Sequence, residues 1–402
     1  MTIRTAPSVA DLLADPATAP MPARTLTADR QHLAYGPLGI ALLHIERAAA
    51  GLGPWQRAHD WMAVATVQPF TAGPDSHPFY GAPALAHVVA CAADHQPGRY
   101  QPTLAALDAQ ITRDARHRLD AAHRRIDAGE LPRLSEFDTI RGLTGYGAYL
   151  LHRDPSAPIV RDVLEYLVRL VDPVHVEGER LPGWWTSDGP SGRRDPLFPR
   201  GHANSGLAHG IGGVLAFLAL AARRGTVVHG HLDAIRSILT WLDSWREAGS
   251  PGISWPYWVT LRELRARRLA PTAARRPSWC YGTAGLARAR QLAAIALGDQ
   301  ALQVEAEITL LAAFTDLPQM QATTDDGLCH GFAGLAHIAT RAAEDADPAT
   351  ASRLRAAIPA LLDQIGPPDL ASPGFLDGAA GVALAQSDST PISRWDACLL
   401  IA

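Results

Sequence analysis

The chain has 402 residues, 47% of them hydrophobic, with 36 basic side chains against 40 acidic ones and a formal net charge of -4. This is enough apolar material for a large core, and it lacks the basic excess of a nucleic-acid binder. No stretch approaches the roughly 18 uninterrupted apolar residues of a membrane span, and residues 1–15 show neither a basic leader nor a long apolar run. The expected compartment is therefore reducing and cytoplasmic.

Read in chain order, one short pattern recurs seven times: a glycine, two residues, a small residue, then an apolar helical run. The copies are Gly36-Pro-Leu-Gly39, Gly81-Ala-Pro-Ala84, Gly142-Leu-Thr-Gly145, Gly210-Ile-Gly-Gly213, Gly282-Thr-Ala-Gly285, Gly331-Phe-Ala-Gly334 and Gly378-Ala-Ala-Gly381. Glycine at this density costs helix propensity, and close helix-to-helix packing is the usual compensation. Amphipathic stretches lie between the copies, as at Asp162 to Val171 and Leu232 to Trp245. The charged run Leu104 to Arg125 reads as a longer outer helix within residues 95–136, not as a domain. Pro182 to His202 and Ser250 to Tyr257 read as long loops.

Strand signals are nearly absent. The expected fold class is all-α: an α/α toroid, or barrel, of seven helical hairpins with glycine-rich inner helices, in a single domain of residues 1–402. An open solenoid would need capping repeats with polar outer faces, and none is visible.

Aligning the copies places the residues before each first glycine at one level of such a ring. Immediately before it stand Tyr35, Tyr80, Arg141, His209, Tyr281, His330 and Asp377, and one position earlier the fifth and sixth copies carry Cys280 and Cys329. Cysteines in an Ala-rich helical protein are ordinarily buried small apolar groups, and Cys91 and Cys398 are read that way. Cys280, Cys329 and His330 differ because they share a phase. Two thiolates and one imidazole suit a single zinc ion per chain, and three protein ligands leave a fourth position open, as catalytic sites do. An incoming thiol there would have its pKa of about 8.5 lowered by the metal. His209, with Asp138 a turn before Gly142, offers an acid/base pair, although alone each has a structural reading, as a core histidine and a helix cap. Asp377 is read as a cap. Trp184, Trp185, Trp255, Trp258 and Trp279 are read as core, with a peptide-binding surface as the second reading.

The runs Gly206-Leu-Ala-His-Gly-Ile-Gly-Gly213, Trp279-Cys-Tyr-Gly-Thr-Ala-Gly285, Cys329-His-Gly-Phe-Ala-Gly334 and Gly374-Phe-Leu-Asp-Gly-Ala-Ala-Gly381 resemble the motifs of the lanthionine synthetase C-like family. The resemblance extends from Tyr35 to Ala385. It departs at Ala284-Gly285, where the family often has Pro-Gly, and at Ala84, which replaces a glycine.

The resemblance implies an α/α toroid with zinc held by Cys280, Cys329 and His330. It also implies Michael addition of peptide cysteine thiols to dehydroalanine or dehydrobutyrine, forming lanthionine or methyllanthionine rings. By motif position His209, Asp138, Arg276 and Tyr281 correspond to the family's site residues. The implied substrate is a dehydrated precursor peptide, leader plus core. A separate dehydratase and a membrane exporter are candidate partners, with peripheral membrane association, and nucleic acid is not expected. The rival readings are an enzyme adding glutathione or another small thiol to dehydrated peptides, and a non-catalytic zinc-containing peptide-binding scaffold.

Overall fold

The computed structural model describes residues 8–248, 252–387 and 390–402. Residues 1–7 of the leader reading, and Ser250 and Pro251 of the expected loop, lie outside the described residues.

Each of the seven glycine signals is followed, one residue later, by a helix: Pro37–Ala49, Ala82–Ala93, Leu143–Arg153, Ile211–Arg223, Thr283–Leu297, Phe332–Asp345 and Ala379–Ala385. The leading glycine has a positive φ at Gly81 (74°) and Gly282 (121°), backbone that side chains avoid. The glycine three residues on serves close packing. A Cβ at Gly39, Gly213, Gly285, Gly334 or Gly381 would fall inside 3.0 Å of the carbonyl oxygen six residues earlier, on Leu33, Leu207, Trp279, Leu328 or Phe375 respectively. The chain thus folds back beneath the first helical turn, and the residues just before the glycine are held against that turn.

Gly213→Ala tests this packing. In an open helix the change would stabilise by roughly 1 kcal/mol. Here the new methyl would meet the Leu207 carbonyl and the Thr139 hydroxyl. Overpacking of this kind costs about 1–3 kcal/mol, so the urea midpoint should fall. A variant as stable as its parent would refute the account.

The helices between the copies include Trp55–Ala65, Gln101–Asp127, Pro158–Leu170, His231–Ser244, Gln300–Ala313 and Pro348–Leu362. They are built differently. Pro158–Leu170 buries Ile159, Val160, Val163, Leu164, Tyr166, Leu167 and Leu170, one apolar stripe at helical spacing. In Ile211–Arg223, by contrast, every residue from Ile211 to Ala221 is buried. Alternating fully buried and one-faced helices is the hairpin pattern expected from the sequence. The charged run after His95 is one helix, Gln101–Asp127, with no sheet.

Among the described residues three short antiparallel strand pairs break the helical rule: Val174–Val176 with Glu179–Leu181, His202–Asn204 with Trp258–Thr260, and Glu247–Ala248 with Ile253–Ser254. The last corrects the reading of Ser250 to Tyr257 as loop alone, since Ile253 pairs with Ala248 and Ser254 with Glu247. Pairings of two or three residues are too short for alternating hydrophobicity to reveal them.

The chain forms two compact units. The first is Met1–Asp108, Asp325–His337 and Pro359–Trp395, and the second is Ala109–Thr324, Ile338–Ile358 and Asp396–Ala402. Within each, backbone hydrogen bonds join the segments that precede successive glycines. In the second, Thr139 N donates to Ala208 O (3.1 Å) and Ala208 N to Cys280 O (3.3 Å). In the first, Cys329 N donates to Leu376 O (2.9 Å), Leu376 N to Ala34 O (3.2 Å) and Leu33 N to Phe79 O (2.9 Å). Equivalent positions of neighbouring copies are therefore physical neighbours.

Of the other cysteines, Cys91 is buried and Cys398 half-buried. Among the described residues no helix is long and apolar enough to cross a membrane.

Burial also makes the protein acid-sensitive. His44 and His202 are 2% and 0% exposed, and burial lowers each imidazole from 6.5 to about 4. The unfolded chain therefore binds protons that the folded chain refuses. The stability from keeping each ring neutral is fully present above pH 6.5 and is lost as pH falls toward 4, about 3 kcal/mol per ring. Urea midpoints measured across that window should decline steadily. A flat profile would contradict it.

Candidate metal centre

Cys280 sits in the tight turn from Ser278 to Gly282. Trp279 is fully buried, and its indole Nε1 donates to Leu399 O at 2.9 Å, which anchors the turn on one side. On the other side Gly282 packs against the Arg276 carbonyl, leaving no room for a side chain. Ser278 Oγ donates to Tyr281 O and lies 3.8 Å from Cys280 Sγ. The thiol, in a residue only 5% exposed, is thus presented by a rigid turn.

The same unit holds the residues around it. His209 Nδ1 is 2.6 Å from Asp138 Oδ2. The other oxygen of Asp138 accepts from the backbone N–H of Arg141 (2.6 Å) and Gly142 (2.8 Å). Asp138 is therefore both the cap of its turn and the partner of His209. A neutral ring that donates from Nδ1 keeps Nε2 as an acceptor, and 29% of the His209 side chain remains exposed. The Tyr281 hydroxyl accepts from Asn204 Nδ2 at 3.1 Å, and its ring centroid lies 6.3 Å from that of His209. Half-buried Arg276 receives the Tyr257 hydroxyl on its backbone carbonyl at 3.1 Å. Burial raises the Tyr257 phenol, the Arg276 charge opposes that shift and Cys280 adds to it, so the phenol senses both groups.

In the first unit Cys329 and His330 are half-buried before the Gly331 turn. His330 Nε2 lies 3.5 Å from Asp325 Oδ2, and Nδ1 lies 3.4 Å from Asp377 Oδ1. Asp377, read from the sequence as a cap, therefore also flanks the imidazole. Asn204, Tyr257, Asp325 and the Asp377 contact were missed from the sequence. Only the position of Asp377 beside the repeat glycine hinted at its place. Trp184, Trp185, Trp255 and Trp279 are core as expected, and Trp258 is half-buried.

The sulfurs of Cys280 and Cys329 and a ring nitrogen of His330 all lie within 4.8 Å of one another. Donors around one zinc ion, at bond lengths of about 2.0–2.3 Å, stand about 3.5–4 Å apart. Donor atoms within 4.8 Å of one another are compatible with that demand, and two soft sulfurs disfavour magnesium or calcium.

Helical hairpins led by Gly-x-x-Gly turns, with thiols and an imidazole presented from those turns, define an all-helical protein class with a sulfur-rich candidate metal centre. The chain belongs to the lanthionine synthetase C-like family: the family model "Lanthionine synthetase C-like protein" matches residues 27–400. It is similar to "Nisin biosynthesis protein NisC" of Lactococcus lactis subsp. lactis, 26% identical over 207 residues, 50% of this chain and 48% of that protein. The chain thus matches about half the length of this curated relative. A solved structure of "Nisin cyclase" aligns with a TM-score of 0.76 at 21% identity, covering 92% of each chain. The α/α toroid expected from the sequence is the fold it shares.

Proposed function

We propose that the chain is a zinc-dependent lanthipeptide cyclase, acting as one domain over residues 1–402. It joins cysteine thiols of a peptide to dehydroalanine or dehydrobutyrine in the same peptide. The observation that carries this reading is the convergence of Cys280, Cys329 and His330 in a chain of this family. The single-domain reading is supported by three of the five unit boundaries, which fall inside the continuous helices Gln101–Asp127, Phe332–Asp345 and Pro348–Leu362.

Cys280, Cys329 and His330 would hold the zinc, which when bound lowers the pKa of a substrate thiol and keeps it nucleophilic. As the S–C bond forms at the β-carbon, the electrons of the C=C bond move to the carbonyl oxygen, and the α-carbon then needs a proton. His209 takes on Nε2 the proton that the thiol releases and returns it to the α-carbon, with its ring fixed through Nδ1 by Asp138. Arg276, always cationic, balances charge on the enolate oxygen. Tyr281, held by Asn204, lines the substrate's path.

The substrate is a dehydrated precursor peptide, leader plus core. Its dehydroamino acids would be made by a dehydratase, and an exporter would remove the product. A cytoplasmic location, peripheral to such a membrane complex, accords with this chemistry.

The test is to incubate the purified protein with a dehydrated, cysteine-containing peptide. Ring closure leaves the mass unchanged but removes a thiol that alkylation would tag. Addition of glutathione to a cysteine-free dehydrated peptide, without ring closure of the first, would instead support the small-thiol enzyme. Binding without either reaction would support a scaffold.

Asp377→Asn probes the carboxylate beside His330. Carboxylates that orient a ligating imidazole typically change metal affinity by about ten- to a hundredfold. Competition with a chromophoric chelator should show a loss in that range, and unchanged affinity would make Asp377 a bystander.

A further inference from the structure

The rings beside Cys280 form one connected group in the second unit. Centroids are 5.5 Å apart for Tyr257 and Tyr281, 6.1 Å for Trp258 and Tyr281, and 5.8 Å for Tyr257 and Trp258. His209 adjoins Tyr281 on one side. On the other, Trp258 is backed by Phe198 at 5.3 Å.

The group has a buried base and an open rim. Phe198 is 8% exposed, while Tyr257, Trp258, Tyr281 and His209 are all half-buried. A rim of large rings left partly in water beside a thiol is not core packing, which would have covered them.

The backbone holds the rim by design. The strand pair sets Asn204 opposite Trp258 and Ala203 opposite Val259. Ala203 and Val259 are fully buried, so strand alternation turns Trp258 to the other face, and Ser205 N fixes Tyr257 O at 3.0 Å. Asn204 then holds the Tyr281 hydroxyl at 3.1 Å, tying the strand to the turn that carries Cys280. The strand pair and the segment before it thus deliver aromatic faces to the side of Tyr281, which adjoins His209.

We propose that Trp258 and Tyr257 are specificity-determining residues that bind the dehydroamino acid of the substrate by its flat face. This rests on the cyclase reading above and deepens it. Dehydroalanine and dehydrobutyrine are planar, conjugated and poor in hydrogen-bonding groups at the reacting carbons. An aromatic face recognises such a group, whereas its serine or threonine precursor is tetrahedral and hydrated. The rim therefore selects peptides that have been dehydrated, and Tyr281 connects it to His209, the residue assigned to protonate the α-carbon.

The experiment uses two dye-labelled peptides without cysteine, one carrying dehydroalanine and the other serine in the same place. Affinities for the full-length protein are read by fluorescence anisotropy, which requires no ring formation. The parent protein should bind the dehydroalanine peptide about three- to tenfold more tightly, the range of one aromatic stacking contact. Trp258→Ala should erase most of that preference, and Trp258→Phe should restore it. A structural role alone would weaken both peptides equally, and that result would overturn the proposal. So would a preference that survives Trp258→Ala, or a parent protein that does not discriminate. The cyclase reading is judged separately, by ring closure in the parent protein: closure without discrimination sinks this proposal and leaves that reading intact.

Discussion

Replacing Cys280 or Cys329 with alanine is expected to take zinc from about one ion per chain to nearly none and to abolish ring formation. Among the described residues, each sulfur is one of three converging donors. With one removed, two donors remain, too few for a stable tetrahedral site, so the affinity loss should exceed the ten- to hundredfold typical of an outer partner such as Asp377. The fold should survive. Cys280 lies in a turn held by Trp279 and Ser278, and Cys329 is tethered through its backbone N–H to Leu376 O, contacts that alanine does not remove. Circular dichroism should remain that of a helical protein while elemental analysis, under reducing and chelator-free conditions, reports the metal loss. Full metal content in both variants would refute the ligand assignment, and a parent protein without zinc would refute the centre itself.

His209→Asn is expected to leave zinc in place and slow ring formation by about a hundred- to ten-thousandfold, the usual contribution of a positioned acid or base. The motive is geometric. His209 hydrogen-bonds to Asp138 at 2.6 Å and is absent from the cluster of ligand atoms formed by Cys280, Cys329 and His330. Asparagine keeps the size and a polar end but cannot carry the proton. Measuring zinc and rate on the same variant separates three roles: metal loss would make His209 a ligand, an unchanged rate a bystander, and only a slow, zinc-loaded variant agrees with proton transfer. Asp138→Asn should slow the reaction as well, because an amide can present an N–H to Nδ1 and reverse the tautomer. Its second oxygen caps the backbone at Arg141 and Gly142, so a modest loss of stability should accompany the slower rate.

Local steric rules made much of this protein legible in its sequence. In five of the seven copies a glycine must clear a carbonyl six residues earlier, and with the leading glycine this leaves a trace at fixed spacing, so the starts of seven helices could be read directly. The same register put Cys280, Cys329 and His330 in phase, and ring-like repetition then made them candidates for one centre. Their grouping required no knowledge of long-range contacts beyond the repeat.

What the repeat could not convey is which side chains meet across it. Asn204 reaches Tyr281 over 77 positions, and Asp377 comes beside His330 where Cys329 and Leu376 share a backbone hydrogen bond. Trp258 reads as core, with a peptide-binding surface as the second reading, and Tyr257 as the end of a loop, since a three-residue pairing with His202–Asn204 carries no periodic signal. Such contacts depend on the register in which separate turns dock. Packing of the whole chain sets that register, which is why tertiary structure alone decided how the candidate site is furnished.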